Sequence, residues 1–207
     1  STALFTVSVT ALGVASPTLG QTLNSYGMPG AIDTPTAAPP AEGELSATVS
    51  HSEYGRRVTL SFQPVPRLTA ALRYSKIDGL DRKRDALYDR SFDLQFQILN
   101  EQPGWQPSLA VGLRDFLGTG VYSGEYLVAT KTITPRVRVS AGVGWGRLAG
   151  EWRPTDYTDE GGKPNVDDWF TGDAKPFASV EWQATDNLSV LAEYSYDDYD
   201  PEVSRGD

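Results

Sequence analysis

The chain has one histidine, His51, and it stands beside a serine, Ser52. A histidine and a hydroxyl within hydrogen-bond reach would make a base and a nucleophile for acyl transfer. The residues around them alternate as a strand does, and neighbours on a strand point to opposite faces, so this pair cannot form. His51 reads instead as a strand-end histidine on an apolar side. Acidic residues are the next candidates: Asp156, Asp159, Glu160, Asp167, Asp168 and Asp173 crowd one stretch, and Asp197, Asp198 and Asp200 another. Carboxylate clusters can hold Ca²⁺, but the spacing here matches no calcium-loop pattern, which favours a solvated acidic loop. The 207 residues contain no cysteine, which excludes disulfides, thiolate metal sites, a cysteine nucleophile and a lipid-modified cysteine among them. No histidine pair with metal-ligand spacing and no phosphate-cradling glycine loop is present in the sequence. No metal, cofactor or enzymatic activity is expected.

The remaining chemistry is charge. Arg57, Arg73, Asp93, Gln95, Gln97, Arg114, Glu125, Lys131, Arg138, Glu181 and Glu193 are placed opposite the apolar residues of runs with period two. If the apolar residues meet lipid, the charges face a lumen, and the candidates for that wall are Arg57, Arg73, Asp93, Arg114, Glu125, Arg138, Glu181 and Glu193. Charges of both signs there can line a wet path or lock a packed interior together. In the first case Arg57, Arg73 and Arg114, opposed to Glu125, Glu181 and Glu193, would set a transverse field at a constriction. Gly142, Gly144 and Gly146, taken on the inner face of one run, leave space beside the wall or permit strong curvature. Either makes room for a polymer or for another part of the protein.

The elements that must position these groups are strands. The longest clear pattern is a hairpin over residues 111–131. On its first arm Leu109, Val111 and Leu113 point one way, and Ser108, Ala110, Gly112 and Arg114 the other. On its second arm Tyr122, Tyr126 and Val128 are expected on the apolar face, opposite Ser123, Glu125 and Lys131, with a tight reversal at residues 117–120. The same alternation appears at Leu45, Ala47 and Val49; at Val58, Leu60 and Phe62; at Leu68, Ala70, Leu72 and Tyr74; and at Phe92, Leu94, Phe96 and Ile98. It returns at residues 137–145, 178–182 and 188–196, giving about nine strands and no convincing helix. Connections at 64–67, 101–106, 133–136 and 185–187 are short, while 78–90 and 148–175 are long. Alternating short and long connections, with aromatic residues near strand ends, is the pattern of an all-β, antiparallel, up-and-down transmembrane β-barrel.

Composition is compatible with that reading. Hydrophobic residues make up 39% of the chain and aromatics 11%, too few apolar residues for helical spans and too many aromatics for disorder. A formal charge of −9 argues against nucleic acid as a partner, since a phosphate-tracking surface needs clustered Lys and Arg. Residues 3–15 are apolar and uncharged, about as long as the core of a signal peptide and too short to span a membrane. Residues 1–20 therefore read as a signal-peptide remnant, and residues 21–43, rich in Gly, Pro, Ala and Thr, as a periplasmic lead-in with little regular structure. Residues 44–207 read as the N-terminal part of the barrel.

Several stretches together resemble the YjbH family of outer-membrane proteins linked to exopolysaccharide and capsule production. They are SYGMPGAIDTPTA (25–37), EGELSATVS (42–50), LRYS (72–75), FDLQFQIL (92–99), VGLRDFLGTGVYSGEYLVATK (111–131) and GVGWGRL (142–148). The resemblance implies a barrel in the outer membrane of a Gram-negative bacterium. It also implies outer-membrane lipid, a polysaccharide and periplasmic exopolysaccharide-assembly proteins as partners. It supplies no catalytic residues. Members of the family are much longer, so the chain is expected to be a fragment of a larger barrel. A porin-like channel for small solutes, or a structural barrel anchoring envelope partners, is the alternative.

Overall fold

The computed structural model describes residues 19, 22–52, 55–81, 84–151, 169–197 and 199, with 79–81 and 84–85 in backbone only. The expected leader, apart from Leu19, lies outside the described residues, as do Asp156, Asp159, Glu160, Asp167, Asp168, Asp198 and Asp200.

Alternating sequence becomes strand throughout. β1 (Leu45–Ser52), β2 (Gly55–Val65), β3 (Leu68–Asp81), β4 (Arg84–Leu99), β5 (Ser108–Arg114), β6 (Gly124–Thr134), β7 (Val137–Gly144), β8 (Lys175–Thr185) and β9 (Leu188–Tyr194) follow one another along the chain. They form one nine-stranded sheet in sequence order, each strand antiparallel to the next. The sole helical element among the described residues is a short 3₁₀ turn, Gly146–Ala149. The nine strands do not close on themselves. An odd number of alternating strands leaves β1 and β9 running in the same direction, and neither pairs with the other.

The connections follow the strand count and correct two expected lengths. β2 to β3, β6 to β7 and β8 to β9 each turn through two residues: Pro66 and Arg67, Pro135 and Arg136, Asp186 and Asn187. The stretch 78–90, expected as a long loop, continues the β3–β4 ladder, with Asp78 paired to Ala86 and Asp81 to Arg84. Polar residues had disguised a hairpin that extends beyond its neighbours. The reversal expected at 117–120 is instead the centre of a connection over 115–123, whose Asp115, Val121 and Tyr122 fold inward and are buried.

Burial runs opposite to that of a water-soluble sheet. Thr59, Ser61, Gln63, Thr69, Arg73, Ser75, Asp89, Ser91, Asp93, Gln95 and Ser108 are all buried, and Arg73 is 0% exposed. Their neighbours on the other face stay open: Val49 is 77% exposed and Leu60 46%, with Phe62, Leu72, Phe96, Val111, Val180, Trp182 and Val190 also exposed.

One apolar set was assigned to the wrong face. Pairing of Ala110 with Val128 and of Gly112 with Tyr126 puts Val128 and Tyr126 inside, both buried, while Leu127 is open. The physical reason is Gly112. A Cβ there would lie 2.1 Å from Cζ of Tyr126, so the ring fills the space that glycine leaves, and its hydroxyl donates to Gln95 Oε1 at 2.9 Å. Gly142 and Gly144 behave alike: Phe177 covers the first and Leu148 the second, so the room they leave is filled by this protein's own side chains, whereas Gly146 lies beyond β7 in the 3₁₀ turn. Replacing Gly112 with Val should displace the Tyr126 ring and cost about 1–3 kcal/mol by overpacking, read as a lower midpoint in urea unfolding.

Candidate functional site

The site is built by the segment that precedes the strands. Residues 22–43 have little regular structure, being two isolated bridges, Leu23 with Pro29 and Gly30 with Pro35, joined by turns. Instead of extending away from the sheet, the stretch 24–37 folds against its polar face, with Asn24, Tyr26, Met28, Ala31, Thr34, Thr36 and Ala37 buried. Local chemistry shapes it. The Asn24 side chain accepts from the N–H groups of Tyr26 and Met28, both at 3.1 Å, and Ser25 N–H donates to the Ile32 carbonyl at 2.7 Å. Gly27, at φ +76°, passes so close to Thr59 that a Cβ would sit 2.6 Å from its Cβ, a position only glycine fits.

Strand side chains then meet the backbone of this segment, because a chain without a ladder must find partners for its N–H and C=O groups elsewhere. Glu193 on β9 accepts from the N–H groups of Ile32, Asp33 and Thr34 at 2.9–3.0 Å and from the Thr34 hydroxyl at 2.8 Å. Arg114 on β5 donates to the Asp33 carbonyl at 2.8 Å. Gln95 donates to the Thr36 carbonyl, and Gln97 and Ser108 to that of Ala37. Thr130 on β6 accepts from Ala37 N–H at 2.7 Å, Ser50 on β1 donates to the Ser25 carbonyl, and Thr22 donates to Glu181 on β8 at 2.9 Å. One short segment thus touches strands from β1 to β9, so the sheet curls around it.

At the centre lies a cluster of cations on aromatic rings. The guanidinium carbons of Arg114, Arg57 and Arg73 lie 3.9, 4.5 and 5.0 Å from the centre of the Tyr26 ring. Arg57 also sits 4.6 Å from the Tyr122 ring, and Arg147 lies 5.7 Å from it. Tyr26 and Tyr122 meet edge to face at 5.6 Å. Carboxylates complete the shell. Arg73 makes a two-point pair with Asp93 at 2.7 and 3.0 Å, and Arg147 Nε reaches both oxygens of Asp197 at 2.8 Å. Asp33 accepts from the Ser25 hydroxyl and from the Tyr199 hydroxyl. Burial pushes the Tyr26 phenol up to about 12, against the pull of the neighbouring guanidiniums of Arg57, Arg147 and Arg114.

Beside this cluster the 115–123 connection holds Asp115. Its carboxyl is raised well above the ordinary range, first by burial and then by the Asp89 carboxylate, with Arg73 and the Tyr122 N–H opposing. Asp115 N–H donates to Asp93 and Tyr122 N–H to Asp115, at 2.8 and 3.0 Å.

Of the wall candidates, Arg57, Arg73, Asp93, Arg114, Arg138, Glu181 and Glu193 all lie on the covered face. Arg57, Arg73, Asp93 and Arg114 belong to the cluster, while Arg138 pairs with Glu181 at 3.2 Å and Glu193 holds the segment's backbone. Glu125 does not join them. It shares a register row with Leu113, out of phase with Tyr126, and it accepts from Phe170 N–H at 2.7 Å. Lys131 pairs with Glu101 at 3.0 Å, away from the cluster. His51 and Ser52 are exposed at the end of β1. Among the described residues no group of three or more His, Cys, Asp or Glu is placed to hold a metal ion. Tyr26, Asp33, Tyr122, Asp115 and Arg147 were not expected at the site. Tyr26 and Asp33 lie within SYGMPGAIDTPTA, a stretch that drew attention by resemblance but has no periodicity from which to read a buried face.

Residues 22–207 match the family described as exopolysaccharide biosynthesis protein YbjH, or YjbH. The chain belongs to the YjbH family. It is similar to the "uncharacterized lipoprotein YjbH" of Escherichia coli strain K12, 30% identical over 224 residues, covering 93% of this chain and 32% of that protein. The chain therefore spans about a third of that YjbH relative's length. No solved structure matches it.

Two substitutions test the site. Glu193→Ala leaves three backbone N–H groups without their acceptor, and a loss of about 1–3 kcal/mol is expected from buried donors so stranded. Hydrogen exchange at residues 32–34 should accelerate while the β3–β4 ladder stays protected. Asp115 acts through pH. A carboxyl with a raised folded pKa favours the folded state while protonated. That contribution is complete below its unfolded pKa, about 3.9, and is lost as pH rises through the folded value. Asp115→Asn keeps an acceptor for Tyr122, so the variant should unfold at higher temperature than the parent near neutral pH, with the gap closing toward about pH 4.

Proposed function

We propose that this chain is part of an outer-membrane β-barrel that supports production or export of an extracellular polysaccharide. The observation that carries the membrane half is the inversion of the sheet, with buried arginine, aspartate and glutamine on one face and exposed valine, leucine and phenylalanine on the other. Each half-exposed large apolar side chain would gain roughly 1 kcal/mol by leaving water, and a hydrocarbon layer supplies that environment all round a curled sheet. Five of the nine strands, β2, β3, β4, β6 and β8, have 11–16 residues, long enough for a tilted crossing that needs about 9–11. Phe62 and Trp182 lie toward the strand ends near the two-residue turns and Tyr194 ends β9, while Tyr74 and Tyr88 stack at 6.1 Å within β3 and β4. No helix among the described residues is long and apolar enough to cross a membrane.

Membership of the YjbH family supplies the polysaccharide half. Unpaired backbone along β1 and β9 cannot face lipid. Since the chain spans about a third of its relative, further strands of the whole protein would continue from these edges and complete the barrel. Periplasmic exopolysaccharide-assembly proteins are the partners this reading calls for. The protein acts by providing a path or an anchorage, without covalent catalysis. A general channel for small solutes draws less support, because the segment 22–37 and the arginine cluster occupy the space that a solute path would need.

Expressed in full with its own signal, the protein should fractionate with outer membranes and migrate differently on gels with and without boiling. Placing arginine at Leu60 or Val111, in the middle of the apolar face, should cost about 2–4 kcal/mol and reduce the heat-modifiable form. A soluble periplasmic protein with no shift would overturn the membrane reading. Exported polysaccharide unchanged in amount and size after deletion of the gene would overturn the polysaccharide reading.

A further inference from the structure

We propose that the wall covered by residues 22–37 is a binding site for an acidic polysaccharide, and that the segment is an internal ligand occupying it. This rests on the polysaccharide reading above and names the substrate class.

The hydrogen-bonding inventory points to this class. The wall offers the segment guanidinium, amide and hydroxyl donors, which meet backbone carbonyls and one serine hydroxyl, and the acceptors Glu193, Glu181 and Thr130, which take its N–H and hydroxyl groups. Arg114 donates to the Asp33 carbonyl and Arg57 to Ser25 Oγ at 3.1 Å. Such donors suit the hydroxyl and ring oxygens of a sugar equally well. The attachment consists of side chain to backbone bonds and two small apolar clusters, with no strand pairing between the segment and the sheet. One polar partner can therefore replace another at little net cost in hydrogen bonds.

Charge selects an acidic sugar over a neutral one. Arg73 is matched by Asp93 within the wall, whereas Arg57 and Arg114 direct these bonds to neutral oxygens of the segment. The anion the segment brings to this place is Asp33, which acts on Arg57. When the segment leaves, Asp33 and the Tyr26 ring leave with it, and Arg57 and Arg114 are left there with one wall carboxylate beside them, Glu193, which had held the N–H groups of residues 32–34. A uronic acid carboxylate would take the place of Asp33. The Tyr122 ring, now in edge contact with Tyr26, would offer an apolar face to a pyranose. The chain as a whole carries −9, so an acidic polymer would be held here and repelled elsewhere.

The experiment uses the full-length protein in detergent, titrated calorimetrically with oligogalacturonate as the acidic probe and malto-oligosaccharide as the neutral one. Tyr26→Ala removes the cation–π contacts that seat the segment and should tighten oligogalacturonate binding by about tenfold or more. Tyr26→Phe should bind as the parent does, because the Tyr26 hydroxyl has no hydrogen-bond partner among the described residues. Arg57→Gln with Arg114→Gln, added to Tyr26→Ala, should abolish the gain. Heat-modifiability checks folding, and if Tyr26→Ala fails that check, Asp33→Asn serves in its place with the same expected direction. Equal affinity in the parent and the weakened-segment variant, or equal binding of the neutral probe, would overturn the inference. Polymer output in a deletion strain separates the two levels. If the wild-type gene restores output while the variants bind no better, only this inference fails. If deletion leaves output unchanged, the reading beneath it fails.

Discussion

A guanidinium taken out of water must be met by anions, aromatic faces or oxygen acceptors, and the interior of this sheet is arranged to meet four of them. Tyr26 is the common element for three: Arg57, Arg73 and Arg114 all lie within 5.0 Å of its ring centre, and Tyr122 links the group to Arg147. Because Tyr26 belongs to the segment before β1, the strands and that segment are interdependent. Without the ring, three cations from three strands would face one another across a space with fewer compensating groups. Without the strands, the segment's carbonyls and N–H groups would return to water.

The same constraint explains why the two faces differ so sharply. The buried apolar clusters are small, one of Tyr26, Ile77, Val121 and Tyr122 and another around Tyr126, Val128 and Phe177. Removing apolar carbon from water therefore contributes little on the inner side. Hydrogen bonds and ion pairs there fix geometry more than they add net stability, since each replaces a bond to water and contributes about 1 kcal/mol. The driving force belongs to the outer face, and it is realised only when something apolar covers Leu60, Val111, Val180 and their neighbours.

All nine strands were legible in the sequence because a period of two is a covalent property of extended chain, and where one face is polar and the other apolar the pattern survives any register. The inward set Arg57, Arg73, Asp93, Arg114, Arg138, Glu181 and Glu193 followed from the same parity. The parity failed at β6, where Tyr126 and Val128 were assigned outward for being apolar. Inside, they fill the space over Gly112 and beside Phe177, and Glu125 is displaced to the other phase. Polarity misled again at 78–90, where Lys and Asp residues suggested a loop and strand pairing prevailed. The fold of residues 22–37 had no periodic signature at all. It depends on side chains such as Glu193, supplied from far along the chain, and the YjbH resemblance marked the stretch without saying where it lies.

The bond between Glu193 and Ile32 joins residues 161 positions apart, and every hairpin of the meander lies between them. Loop closure over such a span cannot precede the local pairings that shorten it. A segment that precedes all nine strands in the sequence is therefore among the last to be seated. Until β9 is in place, residues 32–34 lack their carboxylate and the arginines of β2, β3 and β5 lack a fully seated Tyr26. Assembly must pass through a stage in which the sheet is formed and its interior is still wet, with the leading segment free to be held by whatever receives it.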